Sequence, residues 1–138
     1  MSKFFVDTNI LVYVYDTSEG PKHAAARAVV EELWNEGNGV VSAQVLQEFF
    51  VTVTRKVSQP VSIDVARDWV ARYLSWQVVE ADGQSVLRAI DLQSRFQTSF
   101  WDAMILQSAL RAGASTLLSE DLNHGQRYDS LIVENPLR

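Results

Sequence analysis

The chain has 138 residues, 47% hydrophobic and 21% charged, with six glycines, a composition that fits one compact domain over residues 1–138. Cysteine is absent, which removes disulfides, thiolate nucleophiles and Cys-ligated zinc together, so any metal must sit on oxygen or on the two histidines. A net charge of −5 argues against passive coating of nucleic acid, and no apolar run approaches the ~18 residues of a membrane span, so a soluble, cytoplasmic protein is expected.

Phe4-Phe5-Val6 is a short β-favouring run that stops at Asp7-Thr8-Asn9, residues suited to a strand end or a helix cap. A helical turn through Ile10-Leu11-Val12-Tyr13 follows. Gly20-Pro21 opens a second helix whose apolar positions Ala26, Val29, Val30 and Leu33 keep helical spacing until Gly37-Asn38-Gly39 ends it. Val40-Val41 reads as a buried strand. Ser42 caps the next helix, where Leu46, Phe49, Phe50, Val53 and Val57 form one stripe, and Ser58-Gln59-Pro60 stops it.

Beyond lie a helix near 62–74, a strand at Val78-Val79, a helix from Asp82 to about Phe96 and another from Phe100 to Leu110, ended by Gly113. Thr116-Leu117-Leu118 and Leu131-Ile132-Val133 are the last strands. Short apolar strands alternating with helices predict a three-layer α/β/α domain with a central parallel sheet. From the mass of 15.5 kDa, such a domain exposes about 7,200 Å².

Asp7 follows the first strand and Ser119-Glu120-Asp121 follows the fourth. Ligands of an open α/β sheet bind beyond the carboxyl ends of its strands, so both aspartates would face that crevice if the two strands are neighbours; the alternative is a pair of helix caps. Asp102 falls on a helical wheel inside the apolar stripe of Trp101, Ile105, Leu106 and Ala109, where a carboxylate must be paired, protonated or bound to a cation. Its local alternative is a capping box over Ser99-Phe100-Trp101-Asp102. Glu48 shares a face with Gln44, Thr52 and Arg55 away from the apolar stripe, which reads as a solvated helix surface.

Taken together, Asp7-Thr8-Asn9, the lone Glu48, Asp102-Ala103 and Ser119-Glu120-Asp121-Leu122-Asn123-His124-Gly125 resemble the PIN-domain ribonucleases, and among them the VapC-like toxins of toxin–antitoxin pairs. The resemblance spans nearly the whole chain, in order and spacing. It implies an acidic centre of Asp7, Glu48, Asp102 and Asp121 that holds Mg²⁺ or Mn²⁺, with Thr8 and Ser119 as supporting hydroxyls. It also places Asn9 and Asn123 beside that centre as supporting residues. A homodimer and a cognate antitoxin whose C-terminal segment blocks the centre are implied as well.

The residues suit that chemistry on their own terms. Hydrolysing a phosphodiester requires an activated water, a stabilised leaving oxygen and relief of the phosphate's charge, which a hard divalent ion on carboxylates supplies. Without those four acids the chain is nearly neutral, and twelve Lys and Arg remain for an RNA backbone. Lys22, Arg27, Arg55, Arg95 and Arg127 are candidates for phosphate contacts. His23 and His124 read as loop residues, and Trp34, Trp69, Trp76 and Trp101 as core or dimer surface rather than base-stacking platforms.

Two other function classes compete. A receiver domain or an aspartate-nucleophile phosphatase would carry Asp-x-Asp at the first strand or a late Lys, whereas Asp7 precedes Thr8-Asn9 and no Lys follows Lys56. A non-catalytic PIN-like scaffold binding RNA or protein would be expected to have lost some of the four acids. Their retention favours a metal-dependent endoribonuclease.

Overall fold

Phe4–Val6 forms β1, and Asp7, with extended backbone, caps α1 (Thr8–Tyr15) by accepting a bond from the Thr8 amide at 2.7 Å. The computed structural model describes all 138 residues. A 3₁₀ turn at Thr17–Glu19 leads into α2 (Pro21–Glu36), which has Pro in its first turn and ends at Gly37 in the left-handed conformation. Next come β2 (Gly39–Ser42), α3 (Ala43–Arg55), α4 (Ile63–Tyr73), β3 (Gln77–Val79) and α5 (Gly83–Phe96). Ser42, Ser62 and Asp82 cap the three helices through side-chain bonds to the first turn. The chain closes with α6 (Phe100–Arg111), β4 (Thr116–Leu118), β5 (Arg127–Tyr128) and β6 (Leu131–Glu134).

The six strands make one sheet in the order β3-β2-β1-β4-β6-β5. The five expected strands are all parallel, and an unforeseen sixth, β5, runs antiparallel to β6 at the sheet edge. Two residues carry no readable period, so this hairpin had no signal in the sequence. The first helix is also longer than the single turn expected.

Helices α1 to α4 pack as one group, with α2 and α3 also on β2; α5 and α6 pack together, with α6 against β2 and β4. The α/β/α sandwich is therefore as predicted, and its accessible surface of 7435 Å² agrees with the scaling. The core includes Phe5, Leu11, Phe49, Leu106, Leu117 and Leu131, each fully buried.

Its topology sets the site. From β1 the chain winds outward through β2 and β3, then crosses to β4 on the other flank of β1 and continues to β6. The direction reverses between β1 and β4, and the crevice of a doubly wound sheet opens beyond the strand ends at such a point. Val6 pairs with Leu118, so Asp7 and Ser119 are the first residues past the sheet on either side of the switch.

Candidate active site

At the switch point the strand-end acids are bound to their surroundings by short bonds. Asp7 is buried; its Oδ1 accepts from the Thr8 amide and its Oδ2 from the Ser119 hydroxyl at 2.8 Å. The Ser119 oxygen in turn accepts from the Asp121 amide at 3.2 Å. Asn9 completes the link, its Nδ2 donating to Asp121 Oδ2 at 2.9 Å while its Oδ1 accepts from the Glu120 amide at 3.1 Å. Asp7 thus both caps α1 and faces the crevice, so the two readings of it were never exclusive. No helix follows Asp121, which leaves it without a capping role.

The helices supply the opposite walls. Glu48 on α3 accepts from the Thr8 hydroxyl at 2.7 Å, so Thr8 serves Asp7 through its amide and Glu48 through its side chain. Asp102, in the first turn of α6, is half-buried. Only half of the predicted capping box forms, the Asp102 amide donating to Ser99 Oγ at 3.1 Å, and the carboxylate receives no protein hydrogen bond or ion pair.

All four acids line one cavity of about 690 Å³, together with Thr8 and Asn9. Asp16 and Glu19 add two more carboxylates, and Lys56 is the cavity's sole cation. Such crowding has an electrostatic cost. Burial pushes the Asp7 carboxyl up to about 6, the nearby charges of Asp121 and Glu48 add to the rise, and the bonds from Ser119 and Thr8 oppose it.

No three acidic or histidine side chains converge on a single point. A hard ion of the Mg²⁺ type is nonetheless commonly held by one or two carboxylates with water filling its other positions. Oxygen donors around a cavity of this size, one of them the partnerless Asp102, fit that demand.

Several sequence expectations land elsewhere. Asn123 donates to Gln126 at 3.2 Å and does not line the cavity. The Glu48 face is not simply solvated: Gln44, Glu48, Thr52 and Lys56, spaced four apart, form one wall of the cavity. That spacing was the available signal for Lys56. None of the five basic residues proposed for phosphate contacts lines the cavity; Lys22 pairs with Glu120, Arg27 with Glu31 and Arg95 with Asp129. His23 lies in α2 with its Nδ1 at 2.9 Å from the Tyr13 carbonyl, whereas His124 sits in a loop and accepts from the Asn135 amide.

The tryptophans divide. Trp69 stacks on Tyr15 at 4.3 Å, and Trp34 and Trp76 gather with Tyr73, where a Cβ on Gly39 would meet the Trp76 ring at 2.6 Å. Trp101 does not belong to the buried stripe assigned to it: it is 65% exposed and lines the acidic cavity.

The PIN domain family matches residues 4–129 of the chain. No curated protein sequence matches it. Among solved structures, a toxin–antitoxin complex from Klebsiella pneumoniae superposes with a TM-score of 0.71 at 17% identity, over 98% of each chain. A DNA-bound VapBC from Salmonella typhimurium gives 0.69 at 16% identity over 99% of each chain. VapC20 of Mycobacterium tuberculosis, described as a toxin that cleaves the sarcin–ricin loop, gives 0.67 at 19% identity, covering 86% of this chain and 90% of that one.

Proposed function

Since the chain belongs to the PIN domain family, we propose that it is a divalent-metal-dependent endoribonuclease and the toxin of a toxin–antitoxin pair. One observation carries the reading: six carboxylates and a single lysine surround the cavity at the topological switch point. A phosphodiester cannot approach such a surface unless cations reverse its charge. Asp7, Glu48, Asp102 and Asp121 are the residues that would hold Mg²⁺ or Mn²⁺. Held there, such an ion would supply the positive charge that the phosphate requires and the Lewis acidity that activates a water.

The chain's own groups do the positioning. Ser119 and the Thr8 amide fix the Asp7 carboxylate, Asn9 fixes Asp121, and the Thr8 hydroxyl holds Glu48 on the same side. Asp102, free of protein partners, keeps every lone pair for an ion or its water, while Glu48 and Asp121 each keep one oxygen unbonded. The supporting group of Thr8, Asn9 and Ser119 thus acts through the acids, while Asn123 stays at the edge of the assignment.

Solved structures of similar fold that contain a toxin and its partner support an antitoxin for this chain as well. A homodimer is supported by Leu87 and Ile90, 55% and 47% exposed one turn apart on α5. The family match across residues 4–129 supports reading residues 1–138 as one nuclease domain.

The test is cleavage of a looped or single-stranded RNA by the purified protein with Mg²⁺ or Mn²⁺, set against EDTA. Cutting in the first case and silence in the second is expected. Saturating ion should also raise the melting temperature, about 2.7 kcal/mol being available at a hundredfold excess over Kd. An inert protein whose melting ignores both ions would move the assignment to a non-catalytic scaffold.

A further inference from the structure

Four tryptophans sit in this small chain, and three pack in aromatic clusters with tyrosines from other elements. Trp101 is the exception. It occupies the first turn of α6, adjacent in sequence to Asp102, and its ring is held from one side by Phe100, edge-on at 5.1 Å with an interplanar angle of 77°. Trp101 is 65% exposed, so its indole is largely open to solvent, and it is one of the residues lining the cavity of the acids.

An exposed indole in that place forgoes burial that a Trp ordinarily obtains. Its surroundings do not resemble an apolar docking face: the cavity wall it shares is made largely of carboxylates, amides and hydroxyls, with Gln44 reaching the Trp101 carbonyl at 3.5 Å. A flat aromatic surface beside a phosphodiester-cleaving centre, surrounded by groups able to bond the edges of a base, suits a nucleobase. Every base has a π-face, so such stacking positions a strand with little demand on sequence.

Resting on the ribonuclease reading above, we infer that Trp101 is the stacking platform for a base flanking the scissile phosphate, an RNA-positioning residue that the acidic centre itself cannot provide. The repulsion of the cavity for phosphate makes such a contact valuable, because stacking attracts a nucleotide without requiring positive charge. The base held on the indole keeps its phosphate beside the centre at which the acids would hold their cation.

The experiment compares wild type, Trp101→Ala, Trp101→Phe and Trp101→Leu on a short single-stranded RNA of mixed sequence with Mn²⁺. Trp101 is exposed, so each variant should keep the wild-type fold and melting temperature. Trp101→Ala and Trp101→Leu should raise KM about ten- to a hundredfold with kcat nearly unchanged, and Trp101→Phe should recover most of the loss. Once the cut is mapped, an abasic residue beside it should slow the wild type and cost nothing further in Trp101→Ala. Independently of cleavage, the same RNA should quench indole fluorescence in the wild type and not in Trp101→Phe.

Unchanged KM in Trp101→Ala, or an abasic cost equal in both proteins, overturns the inference. Loss of a dimer on Trp101→Ala with cleavage intact does so too, by giving the ring to a protein contact. A wild type that cuts no RNA yet shows the Trp101-dependent quench would overturn the ribonuclease reading alone and leave the stacking platform standing.

Discussion

Two cavities of this protein hold several charged groups each, and they treat charge in opposite ways. The acidic one, at the strand ends, sets six carboxylates against one lysine and pairs Asp102 with nothing. The other, about 450 Å³ between the α5 and α6 side chains, is lined by Arg88, Arg95 and Arg111 with Asp91 and Asp129. There Arg95 grips Asp129 through two bonds of 2.6 and 3.1 Å, and Arg111 bonds the Glu80 carbonyl and Ser85 and approaches Asp82 at 3.6 Å. Charges satisfied by neighbours cost a fold little. Like charges left facing one another raise its energy, and their persistence points to a ligand of opposite sign.

The sharpest way to break this contrast is mutation on both sides. Asp7→Asn and Asp102→Asn each keep shape and remove one charge from the acidic cavity, and RNA cleavage should fall at least about a hundredfold, as with removal of one electrostatic group at other reaction centres. Circular dichroism should stay native. Arg95→Gln, across the molecule, should leave the rate within about twofold. Equal losses on both sides would erase the distinction.

A smaller effect tests the cost of the acidic side directly. The Asp7 carboxyl is raised from an ordinary 3.8 to about 6, first by burial and then by its acidic neighbours. Between those values the folded chain holds a proton that the unfolded chain has released, so stability falls as pH rises through the window, and the loss is complete above about pH 6. At 1.36 kcal/mol for each pH unit the penalty is about 3 kcal/mol at neutral pH. Urea unfolding of the metal-free protein at pH 4.5 and pH 7 should show that slope, and Asp7→Asn should remove most of it. An identical slope in both proteins would mean that Asp7 ionises as freely as a surface acid.

Much of this was legible beforehand, for reasons that differ by residue. Asp7 and Asp121 announce themselves because a strand end is a one-dimensional feature, and the helix limits follow from Pro21, Gly37, Ser42 and Ser99, whose chemistry is local. What failed was the step from wheel to space. A helical wheel says which residues turn from the core and nothing of what lies beyond, so the Glu48 face read as solvent when it borders a cleft. The same wheel put Trp101 with Ile105, although a residue in a helix's first turn lacks the preceding turn that would cover it. The link from Asn9 to Asp121, 112 positions apart, exists only once β1 and β4 are neighbours.

The least effect is expected where geometry looks strongest. Arg95 and Asp129 form a bidentate pair, which lowers the Asp129 carboxyl and raises the guanidinium, each chiefly through the hydrogen bonds between them. Yet their side chains are 55% and 42% exposed, and water and salt screen such a pair while two side chains lose their freedom. Asp129 also sits at a φ of 56°, a conformation that Asn tolerates as well as Asp, so Asp129→Asn removes the charge without adding backbone strain. Its melting temperature should shift by no more than about 4 °C, and by less at high salt. Lowering Asp129 below its usual range means that the pair's contribution is present at neutral pH and fades as acid protonates Asp129, the reverse of the Asp7 trend. A large loss in Asp129→Asn, insensitive to salt, would show that paired charge in the α5–α6 cavity matters as much to this fold as unpaired charge does at the strand ends.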